Sequence, residues 1–139
     1  MEERLVAKES GLGASLAIDD SAGTPRTISN DVNDVSISTP RGVQETTGVD
    51  VSAFERILLL ADVKVELNGV FNDATNMSHD VFKTVPSTSV TRTTTFGVSG
   101  QTLATELLFE NYEMSRKNSG ELTWKTTGNL ANGGVPTWS

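Results

Sequence analysis

Three stretches of this chain alternate apolar and polar residues with a period of two, which commits them to β-strands with one face turned inward. Val63, Val65, Leu67, Gly69 and Phe71 interleave with Lys64, Glu66, Asn68 and Val70. Val90, Arg92, Thr94, Phe96 and Val98 interleave with Thr91, Thr93, Thr95 and Gly97. Leu103, Thr105, Leu107 and Phe109 interleave with Ala104, Glu106, Leu108 and Glu110. The chain also holds 18 threonines, and a β-branched hydroxyl side chain suits a half-exposed pleated surface better than a helix.

Shorter strands are expected around these three. Ser15 to Asp19 leads into a turn at Asp20-Ser21-Ala22-Gly23 and returns at Arg26 to Ile28. Val35, Ile37 and Thr39 alternate, and Val43 to Thr47 is a further candidate. Asn118-Ser119-Gly120 marks a hairpin turn before Glu121 to Thr127, which carries Leu122 and Trp124 on one side. Two short helices are also expected. Ser52 and Glu55 have capping-box spacing, with Asp50 an alternative cap, and Val51, Phe54, Ile57, Leu58 and Ala61 follow at steps of three and four. That pattern predicts a helix over 53–61. Ser78 is placed to cap the second, with Val81, Phe82 and Val85 on one side and Pro86 ending it. The expected fold is mainly β, a sandwich or barrel of two packed antiparallel sheets with one or two short helices in the connections. It comprises an N-terminal arm (1–13), a single domain (14–127) and a Gly-rich C-terminal tail (128–139), within a length of 139 residues that suits one domain.

Composition narrows the function. Net charge is −7, which repels free nucleic acid and anionic membrane. There is no cysteine, so disulfide scaffolds, thiol catalysis and Cys-ligated zinc are excluded. The longest apolar run, Ile57 to Ala61, is far too short to span a bilayer as a helix. Met-Glu-Glu-Arg lacks the basic start and apolar stretch of a signal peptide, and the expectation is a protein made and used without export.

Candidate chemistry is sparse. Asp31, Asn33 and Asp34 resemble the start of a calcium loop, but Ser36 stands where the loop needs glycine and Gly42 where it needs glutamate. Gly11 and Gly13 lack the Gly-Lys-Ser/Thr of a phosphate cradle. Asn76-Met77-Ser78 fits a glycosylation sequon by chance spacing. His79 is the one histidine and reads as a surface or packing residue. Near-paired carboxylates such as Asp19-Asp20 and Glu106/Glu110 lack an apolar pocket to set their protonation apart, so a solvated or pore-lining face is preferred over glycosidase chemistry. No catalytic constellation, metal site or cofactor site is read, and an enzyme is not expected.

Several segments, in order, resemble the major tail tube proteins of long, non-contractile-tailed (siphovirus-type) bacteriophages. Asp19-Asp20-Ser21-Ala22-Gly23-Thr24-Pro25-Arg26-Thr27-Ile28-Ser29 is similar to that family's early hairpin, and Val43-Gln44-Glu45-Thr46-Thr47-Gly48 to its next strand. Leu60 through Val63-Lys64-Val65-Glu66-Leu67-Asn68-Gly69-Val70-Phe71 to Asp73 resembles its most recognisable strand. Tyr112 through Trp124 to Gly133-Gly134-Val135-Pro136-Thr137-Trp138 resembles the last hairpin and C-terminus. The resemblance runs from about Gly11 onward, and the predicted helix over 53–61 departs from members with a Gly/Pro-rich connection there.

The resemblance implies hexameric rings that stack into a hollow tube, through which DNA passes into the host without specific binding. Net acidity fits, since a lumen lined with Lys and Arg would hold phosphate. It implies partners that are further copies of the chain, with a tape-measure protein, a tail terminator and distal tail or tip proteins. The expected location is the virion, with assembly in the host cytoplasm, and no membrane is involved. Phage tubes and the related tubes of gene transfer agents fit equally. Glu66, Glu106 and Glu110 are candidates for the lumen, the alternative being plain outer-surface charge. Gln44, Glu45, Val51, Phe54, Ile57 and Leu58 are candidates for contact with a neighbouring subunit, the alternative being that they cover their own domain. Trp138 is a candidate for docking the C-terminal tail, and both termini are expected to order on assembly. Two other functions remain open: a tail completion or tail-tip protein forming a single ring, and a stand-alone β-sandwich that binds a ligand through its loops.

Overall fold

The computed structural model describes residues 10–139. The first nine residues, most of the expected N-terminal arm, lie outside the described residues. Nine strands follow in chain order: β1 (Ser15–Asp19), β2 (Pro25–Thr27), β3 (Val32–Ser38), β4 (Arg41–Glu45), β5 (Arg56–Ala61), β6 (Lys64–Val70), β7 (Arg92–Val98), β8 (Gln101–Arg116) and β9 (Leu122–Leu130). One short helix, α1 (Ser78–Phe82), lies between β6 and β7, and a single 3-10 turn, Ser29–Asp31, precedes β3.

The protein is mainly β with two antiparallel sheets and almost no helix, as expected, but the strands are divided unevenly. Seven form one sheet in the order β2-β1-β7-β8-β9-β6-β3, and β4 and β5 pair as a separate ribbon. The opposite edges of the large sheet, β2 and β3, are joined by only four residues, 28–31. Four residues bridge at most roughly 17 Å, so the sheet must curl on itself toward a barrel. Its inner face holds the core: Leu16, Ile18, Ile28, Val63, Val65, Leu67, Leu107, Phe109 and Trp124, with Val81 and Phe82 of α1 against them. Phe82 is the hub, its ring centroid 5.3 Å from those of both Phe109 and Trp124.

The three alternating runs behave as their pattern requires. Val65, Leu67 and Gly69 of β6 face inward, as do Leu103, Thr105, Leu107 and Phe109 of β8. Arg92 also points into the interior, because its place in the β7 alternation leaves it no other face. Its guanidinium donates to the carbonyls of Asp19 (3.1 Å) and Val81 (2.8 Å) and to the Thr84 hydroxyl (3.0 Å), tying β1, α1 and the following turn together. Burial makes that guanidinium less basic than usual, partly offset by the nearby Asp20 and Asp19 carboxylates.

Three expectations need correction. Of the segment predicted as a helix over 53–61, residues 53–55 belong to the turn and Arg56–Ala61 form strand β5, paired with β4 through Val43–Leu58, Gln44–Ile57 and Glu45–Arg56. Ile57 to Leu60 are four consecutive apolar residues, so they satisfy helical and strand periodicity alike, and pairing with β4 decides. The Ser52–Glu55 capping box does not form. The Glu55 amide instead bonds the Thr47 hydroxyl across the ribbon (2.9 Å), and the Thr46 amide bonds the Glu55 carbonyl (2.8 Å). Ser78, expected to cap α1, is its first helical residue, and the Asp31 carboxylate caps it from 47 positions away by accepting the Ser78 amide at 3.0 Å. The other Asp31 oxygen accepts Asn72 Nδ2 at 2.9 Å, so the lead carboxylate of the calcium-like motif is occupied in holding the fold.

The C-terminal segment is built into the sheet. Strand β9 continues through Gly128 to Leu130, three residues into the stretch read as tail. The chain then returns so that Trp138 bridges Leu103 and Ser139 exchanges two backbone bonds with Thr102 (2.8 and 2.9 Å).

Candidate assembly interface

The β4–β5 ribbon carries apolar side chains on both of its faces. Register places Val43 beside Leu58 on one face and Gln44 beside Ile57 on the other, with Leu59 against Gly42 and Leu60 in the bulged stretch that leads to Ala61. All five apolar side chains are exposed, Leu60 at 89%. A free two-stranded ribbon is marginally stable in water, and contiguous exposed apolar surface marks an interaction site. The ribbon is nonetheless ordered at its base, where Arg41 Nε and a terminal guanidinium nitrogen donate to the Leu59 carbonyl at 2.9 and 2.7 Å. Its tip, residues 46–55, is closed by the Thr46 and Thr47 bonds to Glu55. Val49 and Phe54 project there, Phe54 at 69% exposure, with the Arg56 guanidinium 4.9 Å above the Phe54 ring.

The residues singled out for neighbour contact therefore fall on one element. Gln44, Glu45, Ile57 and Leu58 lie on the paired strands, and Val51 and Phe54 on the tip. None is buried against the chain's own core. Leu59, Leu60 and Val49 are exposed on the same ribbon without having been singled out; the unbroken apolar run Ile57–Leu60 was the available signal for the first two.

The three glutamates share the outward face of the large sheet. Glu66 alternates with the buried Val65 and Leu67, while Glu106 and Glu110 alternate with the buried Thr105, Leu107 and Phe109. Strand β9 separates Glu66 from the β8 pair, two strand spacings or roughly 10 Å at the backbone. Lys64 lies 3.5 Å from Glu66, the Thr93 hydroxyl bonds Glu106, and Asn129 Nδ2 donates to Glu110 at 3.0 Å. Around them the face is mixed: Ala17, Thr95 and Ala104 form one cross-strand row and Thr127 stands opposite Glu66, while Leu108, between Glu106 and Glu110, and Val70 are exposed apolar side chains.

Trp138 lies at the start of β8, its ring edge-on to Phe96 with centroids 6.4 Å apart, and stays 46% exposed. His79 packs between aromatic rings, 4.9 Å from Phe71 by centroid, with Nδ1 hydrogen-bonded to the Tyr112 hydroxyl at 3.1 Å. Burial raises the Tyr112 phenol above its ordinary value.

By sequence the chain matches no family model and no curated protein. Solved structures do match. A chain in the virion of a native gene transfer agent particle superposes with a TM-score of 0.76 at 14% identity, covering 95% of this chain and 99% of that one. A chain in the tail of an empty gene transfer agent particle, refined helically with C6 symmetry, gives 0.71 at 15% identity over the same shares. A chain of the anti-feeding prophage baseplate, six-fold symmetrised, gives 0.63 at 11% identity over 100% of this chain and 97% of that one. The chain has the fold of these tail-particle subunits. The match spans essentially whole chains on both sides, so the curled seven-stranded sheet and its projecting ribbon fall within the shared architecture.

Proposed function

We propose that this protein is a structural subunit of a tail tube, forming six-membered rings that stack into a hollow conduit for DNA. The observation that carries this is the β4–β5 ribbon, apolar on both faces and unburied by its own chain, on a fold shared with chains of six-fold tail assemblies. A surface of that kind is covered by further copies when contacts repeat head to tail, closing into a ring or propagating along an axis. The outward face bearing Glu66, Glu106 and Glu110 is the face assigned to the lumen, where net negative charge lets phosphate slide past. Assembly takes place in the host cytoplasm and the finished subunit resides in the particle. A tape-measure protein inside the tube, and terminator and tip proteins at its ends, are the proposed further partners.

A second reading keeps the tail and changes the part. The similarity to a baseplate chain favours a subunit that forms one ring without stacking, at the tip or at the point of completion. Negative-stain electron microscopy of the concentrated protein, averaged down the long axis, separates the two. Stacked six-fold rings are expected. Single rings would transfer the assignment to the tip or completion role, and monomers at every concentration would overturn self-assembly in favour of a free-standing binding domain.

A further inference from the structure

The curled sheet leaves a seam. Strand β2 is three residues long and pairs β1 only at Ala17, Ile18 and Asp19, so the start of β1 has no strand on that side. At the far edge β3 pairs only with β6. Between them opens a hollow of about 400 Å³, lined chiefly by Leu12, Leu16, Val32, Val35 and Phe96 and by no charged side chain. Ser15, Ser29 and Asn33 add polar atoms to a mainly apolar lining, and among the described residues nothing covers it, Leu12 being 89% exposed.

The geometry points to a specific occupant: the ribbon tip of a second copy, with Phe54 seated in this hollow and Arg56 reaching over the β3 edge to Asp34. The inference rests on the self-assembly reading and supplies the contact it requires. Two features make the surfaces complementary. An uncharged hollow accepts an aromatic side chain and rejects an ion, and Phe54 is the large aromatic that the ribbon holds out into solvent. Charge matches at the edge. Arg56 lies over the Phe54 ring and, among the described residues, forms no ion pair, while Asp34, also without one, stands on the outward face of β3 between the lining residues Asn33 and Val35. Knob and hollow lie on different surfaces of one chain, so the contact is heterologous and each bound copy presents a fresh knob.

The chain contains no cysteine, so introduced thiols report without background. Phe54→Cys and Val35→Cys proteins, mixed, concentrated and mildly oxidised, should form a disulfide between copies, and the double variant should give a ladder on a non-reducing gel. In parallel, Phe54→Ala should raise the concentration for half-assembly roughly thirtyfold, as loss of a buried aromatic anchor does. Arg56→Glu should raise it roughly tenfold, and adding Asp34→Arg should restore it. Rings that form without the 54–35 link, or an Arg56→Glu defect not rescued by Asp34→Arg, would overturn the contact and leave the tube reading standing. A 35-to-6 link within one chain in a Val6→Cys, Val35→Cys variant would show the hollow filled by the chain's own start and overturn it as well. Protein that stays monomeric throughout would overturn both.

Discussion

Gly69 and Asp31 meet backbone to backbone: a Cβ on Gly69 would lie 1.9 Å from the Asp31 carbonyl oxygen and 3.0 Å from the Trp124 ring. The obstacle is main chain, which cannot swing aside as a flexible side chain can. Gly69→Ala is expected to cost about 3 kcal/mol or more, the upper end of overpacking penalties. A urea melt with the slope unchanged and the midpoint sharply lowered is the measurement.

Arg92 is the second vulnerable point. Arg92→Ala strands the Asp19 and Val81 carbonyls and opens a cavity, and a loss of about 3–5 kcal/mol is expected. Arg92→Lys should also destabilise, because an ammonium cannot reproduce the fork that reaches two carbonyls and a hydroxyl together. Thermal unfolding of the two variants beside the parent tests this; a Lys variant equal to the parent would refute the fork argument.

Asp20 sets a pH dependence. The Thr24 amide is the largest influence holding its carboxyl below the usual 3.8; burial opposes it, and Arg26 and the Ala22 amide add to the lowering. A depressed folded value means the contribution is fully present above the unfolded value and lost as pH falls through the folded one. The stability gap between parent and Asp20→Ala should therefore be constant from neutral pH down to about pH 5 and close below pH 3.8. A gap that widened in acid would contradict the assignment.

For the outward face, charge reversal of Glu66, Glu106 and Glu110 to Lys should leave assembly intact and impair DNA delivery. Six lysine triplets per ring would bind phosphate with strong salt dependence. Normal delivery by particles carrying the triple variant would remove these residues from the lumen.

Much of the sheet was legible because strict alternation names both the strand and its buried face, as in Val63–Phe71. The ribbon was not. Ile57–Leu60 is apolar at every position, so no periodicity can choose between helix and strand. Phe54, Ile57 and Leu58 were still marked as surface needing burial, which depends on hydrophobicity and not on conformation. The Asp31 cap on α1 and the Gly69 contact were hidden for a different reason. Each joins segments tens of residues apart, and only tertiary structure brings them together. The seam between β1 and β3 was equally hidden, since it depends on how short β2 is.

Strand β9, the last in chain order among the described residues, joins the two halves of the large sheet, with β8 on one side and β6 on the other. Until Leu122–Leu130 leaves the ribosome, the β2-β1-β7-β8 portion and the β6-β3 portion have no hydrogen-bonded connection, and Trp124 is missing from the core. Long-range pairing such as that of β6 with β9 is intrinsically slow, because loop-closure entropy opposes it until the contacts form. Synthesis itself thus acts as a timer: a chain that stops short of Leu122–Leu130 cannot complete the large sheet.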